Sequence, residues 1–176
     1  LTEAMTYPAP GSKGGGFSRS CRGSIQQVLE KATVLVVGPG LGQEEETAEF
    51  LEDLLTNTNV PLVLDADALN ILAKKKHLLT DPSLAEQRKH WVLTPHPGEM
   101  ARLCGASILE IQENRLEYAA QSSREWGVVV VLKGNKTVVT GPESPIFINP
   151  TGNPGLASGG TGDVLAGLVA SFLAQG

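Results

Sequence analysis

An α/β fold with a largely parallel sheet is what this sequence predicts, and three observations carry the expectation. Short apolar runs alternate with longer stretches of helical periodicity, which is the pattern of βα units. The runs are apolar at successive positions, as in strands buried on both faces. Each run also ends in glycine, proline or charged residues, and in open parallel sheets ligands lie outside the carboxyl ends of the strands.

Taken in order, residues 11–24 (GSKGGGFSRSCRGS) read as loop, and Ser24 to Glu30 as a short helix. Thr33 to Val37 is the first buried strand, and Gly38-Pro39-Gly40-Leu41-Gly42 turns the chain into a helix over Glu44 to Leu55. The first turn of that helix carries three glutamates, as the helix dipole favours. Pro61 to Leu64 is the second strand, ending in Asp65-Ala66-Asp67-Ala68-Leu69-Asn70. Trp91 to Thr94 is the third, ending in Pro95-His96-Pro97-Gly98-Glu99. One helix is expected from Ile108 to Trp126, then a strand over Val128 to Leu132 that runs into Lys133-Gly134-Asn135-Lys136-Thr137. Thr137 to Thr140 and Ile146 to Ile148 read as hairpin strands, and the apolar segment Val164 to Leu173 as a last helix. No internal repeat is visible, and residues 1–176 read as one domain, of a size able to bury a core.

Bulk properties exclude several classes. A net charge of −5 advertises no basic surface for nucleic acid. The two cysteines, Cys21 and Cys104, stand in unrelated contexts with no CxxC or Cys/His cluster. They read as free thiols in a reducing compartment. No apolar run approaches a membrane span and no signal-peptide pattern occurs, so a cytoplasmic protein without membrane or nucleic-acid partners is expected.

The densest chemical signal is Asn153-Pro154-Gly155-Leu156-Ala157-Ser158-Gly159-Gly160-Thr161-Gly162-Asp163, which opens directly into the last helix. Small residues let backbone N–H groups close on an anion, and the first helical turn adds its own donors and dipole. Asp163 is poorly placed to bind a phosphate but well placed to take a proton from a group attacking one. The alternative is that it only caps the helix.

Each of the other clusters also has two readings. Gly38, Gly40 and Gly42 form neither a dinucleotide fingerprint nor a phosphate-binding P-loop; the stretch is a tight turn or a ligand contact. Asp65 and Asp67 would share a face in a strand, one of them anchoring loops or capping the next helix. His96 and Glu99 are spaced for one helical turn. With only His77, His90 and His96 in the chain, a zinc site is discounted, and Glu99 as an indirect, water-mediated support for Mg²⁺ is favoured. Lys133 is a solvated turn residue or a point charge for a phosphate.

Together, VVGPGLG, VLDADALN, LTPHPGEMARL, VVLKGNKTVV and NPGLASGGTGDVLAG resemble the nucleotide-dependent NAD(P)H-hydrate dehydratases, a branch of the ribokinase-like superfamily. The resemblance spans residues 1–176 and implies a three-layer sandwich with helices on both faces of the sheet. It implies removal of water from the S epimer of hydrated NADH or NADPH, with ADP or ATP as co-substrate and Mg²⁺ as cofactor. By position it implies hydrate-binding roles for Gly40, His96, Pro97, Gly98, Glu99, Met100, Ala101, Arg102 and Asp163, with Asp163 the catalytic base. It implies an adenine-nucleotide site over Lys133, Gly134, Asn135, Lys136 and Thr137 and over Asn153 to Gly162. His96 stands where many related kinases have Asn, which points to the dehydratase branch.

The resemblance also implies a partner epimerase domain, fused or separate, and a homo-oligomer, often a tetramer. Family domains carry a Gly-rich first strand and helix ahead of the position of Leu1 and a further helix after that of Gly176. A piece with these bounds is expected to expose a normally covered sheet edge and to show poor solubility or no turnover. Two other functions stay open: a small-molecule kinase acting on a hydroxymethylpyrimidine or thiazole alcohol, and a non-catalytic nucleotide-binding or assembly module.

Overall fold

Six strands form one sheet, in the order in which they occur along the chain. The computed structural model describes residues 4–11 and 15–176; residues 1–3, and residues 12–14 of the expected entry loop, lie outside the described set. Strands β1 (Leu35–Val37), β2 (Leu62–Leu64), β3 (Trp91–Leu93) and β4 (Val129–Leu132) run parallel. Strands β5 (Val138–Thr140) and β6 (Phe147–Ile148) add the expected antiparallel hairpin.

Consecutive parallel strands are neighbours throughout, so crossovers of one hand deliver the connecting helices to one face. These helices are α2 (Glu45–Thr56), α3 (Asp67–Lys74), α4 (His77–Thr80), α5 (Ala85–Arg88), α6 (Pro97–Cys104), α7 (Ile108–Glu113) and α8 (Arg115–Trp126), with α1 (Cys21–Leu29) beside α2. Toward them the strands point large side chains: Leu62, Leu64, Trp91, Leu93, Val130 and Leu132 all lie in the main core. Burying each such side chain contributes about 1.5–3 kcal/mol. The opposite face is made of valines. Val63, Val92 and Val131 pack there against Ala166 and Ala170 of α9 (Thr161–Leu173). Both faces of the central strands are therefore apolar, which is why their sequence shows no period-two alternation.

Helix α9 meets the sheet through alanines, which bring its axis close over β1 and β2. Its Val164, Leu168 and Phe172 form an exposed apolar stripe at helical spacing. Among the described residues, helices thus lie on both faces, many on one and α9 on the other.

Several expectations need correction: the first strand is not buried on both faces, Val36 being 41% exposed, and the expected entry loop already gives way to helix at Cys21. The helix predicted over Ile108 to Trp126 is two helices, broken at Asn114, whose backbone leaves the helical region (φ −122°, ψ 38°). The Asn114 side chain donates to the Glu110 carbonyl at 3.1 Å, the local competition that makes Asn a weak helix interior. Asp65 and Asp67 do not share a strand face, because Ala66 takes φ +50° and Asp67 begins α3. The two cysteines are free. Among the described residues no helix is long and apolar enough to cross a membrane.

Candidate active site

The carboxyl ends of the strands are joined by a continuous chain of contacts, beginning at β1. Gly38 has φ +129°, and a Cβ there would fall on the Asp65 carbonyl oxygen. Only glycine lets the β1 turn cross the end of β2 this closely. Asp67 then ties the turn down, its carboxylate accepting from the Gly42 N–H at 3.0 Å and from Gln43 Nε2 at 2.7 Å. One aspartate of the pair thus anchors a loop, as expected. Gly40 also has positive φ, but a Cβ there would meet only open space.

Asp65 does something different. It is 2% exposed, and its Oδ1 accepts from Lys133 Nζ at 2.7 Å. Lys133, at the end of β4, also lies 3.9 Å from Glu99 Oε2. A mostly enclosed ammonium, 19% exposed, therefore sits between two buried carboxylates, one from the end of β2 and one from the start of α6. Lys133 is neither a solvated turn residue nor a free charge; it is mostly enclosed.

Glu99 and His96 form the capping box of α6. His96 Nδ1 accepts from the N–H groups of Gly98 (2.9 Å) and Glu99 (3.3 Å), and Glu99 Oε2 accepts from the His96 N–H at 2.7 Å. An Nδ1 that accepts puts the ring proton of neutral His96 on Nε2, which lies 3.4 Å from Glu99 Oε1. Burial pushes the Glu99 carboxyl above its ordinary range, opposed by the His96 N–H bond and by the charge on Lys133. Within the stretch 96–102, His96 and Arg102 are exposed and Pro97 is half-buried, whereas Met100 and Ala101 are buried in the core. The side chains of Met100 and Ala101 pack in the core, away from solvent.

The glycine loop closes the arrangement. Asn153 accepts from the Gly155 N–H at 2.9 Å, capping a single 3₁₀ turn over Pro154–Leu156. Gly160, with φ +85°, is the N-cap of α9. Among the described residues, the N–H groups of Gly162 and Asp163 meet no protein acceptor. They belong to the orphan donors of a helix start. A Cβ at Gly162 would lie 3.5 Å from Asp65 Oδ2 and 3.6 Å from Lys133 Nζ. The first turn of α9 therefore rests on the buried ion pair, while the Asp163 side chain stands exposed to solvent.

Arg115, which carried no signal in the sequence, organises the remaining loop. From the start of α8 its guanidinium donates to the carbonyls of Leu132 (3.0 Å), Lys133 (3.3 Å) and Asn135 (3.0 Å). This holds residues 133–137 in their turn, with Thr137 Oγ1 donating to the Gly134 carbonyl at 3.1 Å. No cluster of three or more His, Cys, Asp or Glu able to hold a metal exists among the described residues.

The arrangement can hold an anion at the start of a helix, over a mostly enclosed cation, beside an exposed carboxylate. Proteins of known kind are similar to this chain in sequence. A family model for NAD(P)H-hydrate dehydratase matches residues 2–176. The chain is 46% identical over 175 residues to the bifunctional NAD(P)H-hydrate repair enzyme Nnr of Moorella thermoacetica, covering 99% of this chain and 32% of that protein. It superimposes on the ADP/ATP-dependent NAD(P)H-hydrate dehydratase of Bacillus subtilis, co-crystallised with ATP and Mg²⁺. That match has a TM-score of 0.65 and 36% identity, over 81% of this chain and 47% of that one. A ribokinase-like superfamily protein from Enterococcus faecalis matches with a TM-score of 0.76 and 30% identity, over 90% of this chain and 53% of that one. The chain thus spans about a third of the bifunctional relative and about half of the solved structures. By the family model and by identity over nearly its whole length, the chain belongs to the NAD(P)H-hydrate dehydratase family.

Proposed function

We propose that residues 1–176 form one dehydratase domain that restores NAD(P)H from the S epimer of its hydrate, using ADP or ATP and releasing AMP or ADP and phosphate. The observation that carries this reading is the first turn of α9. There the N–H groups of Gly162 and Asp163, which meet no protein acceptor among the described residues, the exposed Asp163 carboxylate and the Lys133–Asp65 pair meet within one turn.

The chemistry follows from leaving-group strength. Hydroxide leaves a carbon centre poorly and phosphate leaves well, so the ring hydroxyl is phosphorylated first. Asp163 takes the hydroxyl proton. The oxygen bonds to the terminal phosphorus as the bond from that phosphorus to the rest of the nucleotide breaks. The N–H groups of the glycine loop hold the charge that develops on the phosphoryl oxygens. The ring nitrogen's lone pair then expels phosphate with the C–O electron pair, and loss of the neighbouring C–H proton restores the 5,6 double bond.

Gly40 and the outward-facing groups of 96–102 hold the hydrate, while residues 133–137 and 153–162 hold the adenine nucleotide. A single carboxylate acting through water fits a cation that keeps its waters and takes phosphate oxygens for the rest of its shell. Glu99, through water, would hold Mg²⁺, which when bound offsets the phosphate charge. Homo-oligomeric assembly and action beside an epimerase domain belong to the same proposal.

The test is recovery of reduced-nicotinamide absorbance from hydrated NADH with ADP. Asp163→Asn should abolish turnover and keep nucleotide binding. Phosphorylation of a pyrimidine or thiazole alcohol without that recovery would replace the dehydratase with a kinase.

A further inference from the structure

Where α4, the end of α6 and α8 meet, they surround a pocket of about 200 Å³. Helix α6 advances about 12 Å from His96 to Cys104, and none of the residues around the pocket belongs to the hydrate or nucleotide stretches. The pocket is smaller than the roughly 300–1,000 Å³ of sites for drug-sized ligands, which limits its occupant to a small molecule. Leu79, Leu103 and Trp126, all buried, give it an apolar lining.

Its exposed rim carries one charge of each sign, Lys76 and Glu125. Among the described residues neither makes an ion pair, with the other or with any third group. A Cβ at Gly105, the C-cap of α6, would lie 3.4 Å from Lys76 Nζ. The ammonium therefore stands at the negative end of the α6 dipole, positioned but not neutralised. The half-buried Cys104 thiol, 3.5 Å from Ser122 Oγ, forms part of the wall between these charges. Burial pushes that thiol above its ordinary range, with the Ser122 hydrogen bond and Lys76 lowering it and Glu125 raising it. It stays protonated, a polarisable wall and not a nucleophile, so an occupant is held without a covalent bond.

A simple anion would meet Lys76 but be repelled by Glu125, and a simple cation the reverse. A molecule with both charges and an apolar body satisfies the rim and the lining together. We propose that this pocket binds a free α-amino acid with an apolar side chain. Its carboxylate accepts from Lys76, its ammonium donates to Glu125, both as charge-assisted bonds, and its side chain lies on Leu79, Leu103 and Trp126. The site is independent of the dehydratase chemistry, because it shares no residue with it.

The test is calorimetry on the unmodified chain with L-leucine, isocaproate, which lacks the ammonium, and isoamylamine, which lacks the carboxylate. Leucine should bind at millimolar concentration or below, and each single-charge analogue about tenfold more weakly, for loss of one charge-assisted bond. Lys76→Gln and Glu125→Gln should each raise the Kd for leucine by a similar factor. Both side chains are exposed, so an unchanged melting temperature should accompany that loss and separate it from misfolding. The analogue arm needs no variant and decides the question even where one fails to fold. No binding of leucine, an analogue that binds as tightly as leucine, or a Kd unchanged in either folded variant would overturn the proposal. A chain that binds leucine but turns over no hydrate would leave the pocket standing and remove only the dehydratase reading.

Discussion

Lys133→Met tests whether the mostly enclosed cation under the glycine loop is what holds the site together. The substitution keeps the length and apolar stem of the side chain and deletes only the charge. It leaves Asp65, 2% exposed, and Glu99, 5% exposed, without the ammonium between them. Removing one partner from a buried ion pair costs about 3–5 kcal/mol, because the remaining charge stays desolvated. For a chain of this size that converts to a fall in Tm of roughly 6–20 °C.

The loss should also depend on pH, with a definite sign. The folded-state pKa of Glu99 is raised by burial, while the Lys133 charge works in the other direction. A carboxyl raised on folding contributes stability at low pH and loses it as pH rises through the folded value. Without Lys133 the Glu99 carboxyl rises further, so the variant's deficit should be smaller near pH 5 than near pH 8. Thermal unfolding of both proteins at the two pH values measures this. Lys133→Met combined with Asp65→Leu should recover much of the loss, since apolar replacement of both partners is commonly neutral. A deficit below about 1 kcal/mol, the range of exposed pairs, or one equal at both pH values, would refute the reasoning.

Other perturbations probe the supports around the site. Ala166 is fully buried where α9 meets Val63, Val92 and Val131. Ala166→Leu should cost about 1–3 kcal/mol by overpacking, read by thermal unfolding, and should lower turnover as well by lifting Gly162 off the ion pair. Arg115→Lys keeps the charge but cannot span the carbonyls of Leu132, Lys133 and Asn135. It should weaken nucleotide binding about tenfold in calorimetry, by loss of hydrogen bonds to a charged group, and an unchanged Kd would remove Arg115 from this role. Gly38→Ala combines an unfavourable φ with a Cβ placed on the Asp65 carbonyl. It should cost more than the roughly 1–3 kcal/mol of backbone strain alone, whereas Gly40→Ala, with open space around it, should cost only the strain.

The order of the strands along the chain, the helices after β1 and at the end of the chain, the parallel sheet with its terminal hairpin and the gathering of loops at one edge were legible in the sequence, whereas the helices of residues 67–88 were not. Each rests on local patterns: apolar runs of strand length, glycines at turns, acidic residues at helix starts. The glycine run opening into α9 was legible for the same reason, since Gly160 takes the left-handed conformation and the residues after it begin a helix whatever they pack against. Other features depend on which atoms meet across long stretches of chain, and no local pattern encodes that. Asp65 and Lys133 are far apart in sequence and adjacent only because β2 and β4 flank β3 in the sheet. Arg115 reads as an ordinary charged residue near a helix start until α8 lays it across the carbonyls of the 133–137 turn. Met100 and Ala101 lie within a recognisable motif, yet helical periodicity together with the position of the core turns them inward while Arg102 faces solvent. The chemistry this chain could perform was written in residue types and spacing. Which charges are buried, which are paired and which stand free for a ligand was decided by tertiary packing, because burial and pairing are properties of neighbours in space.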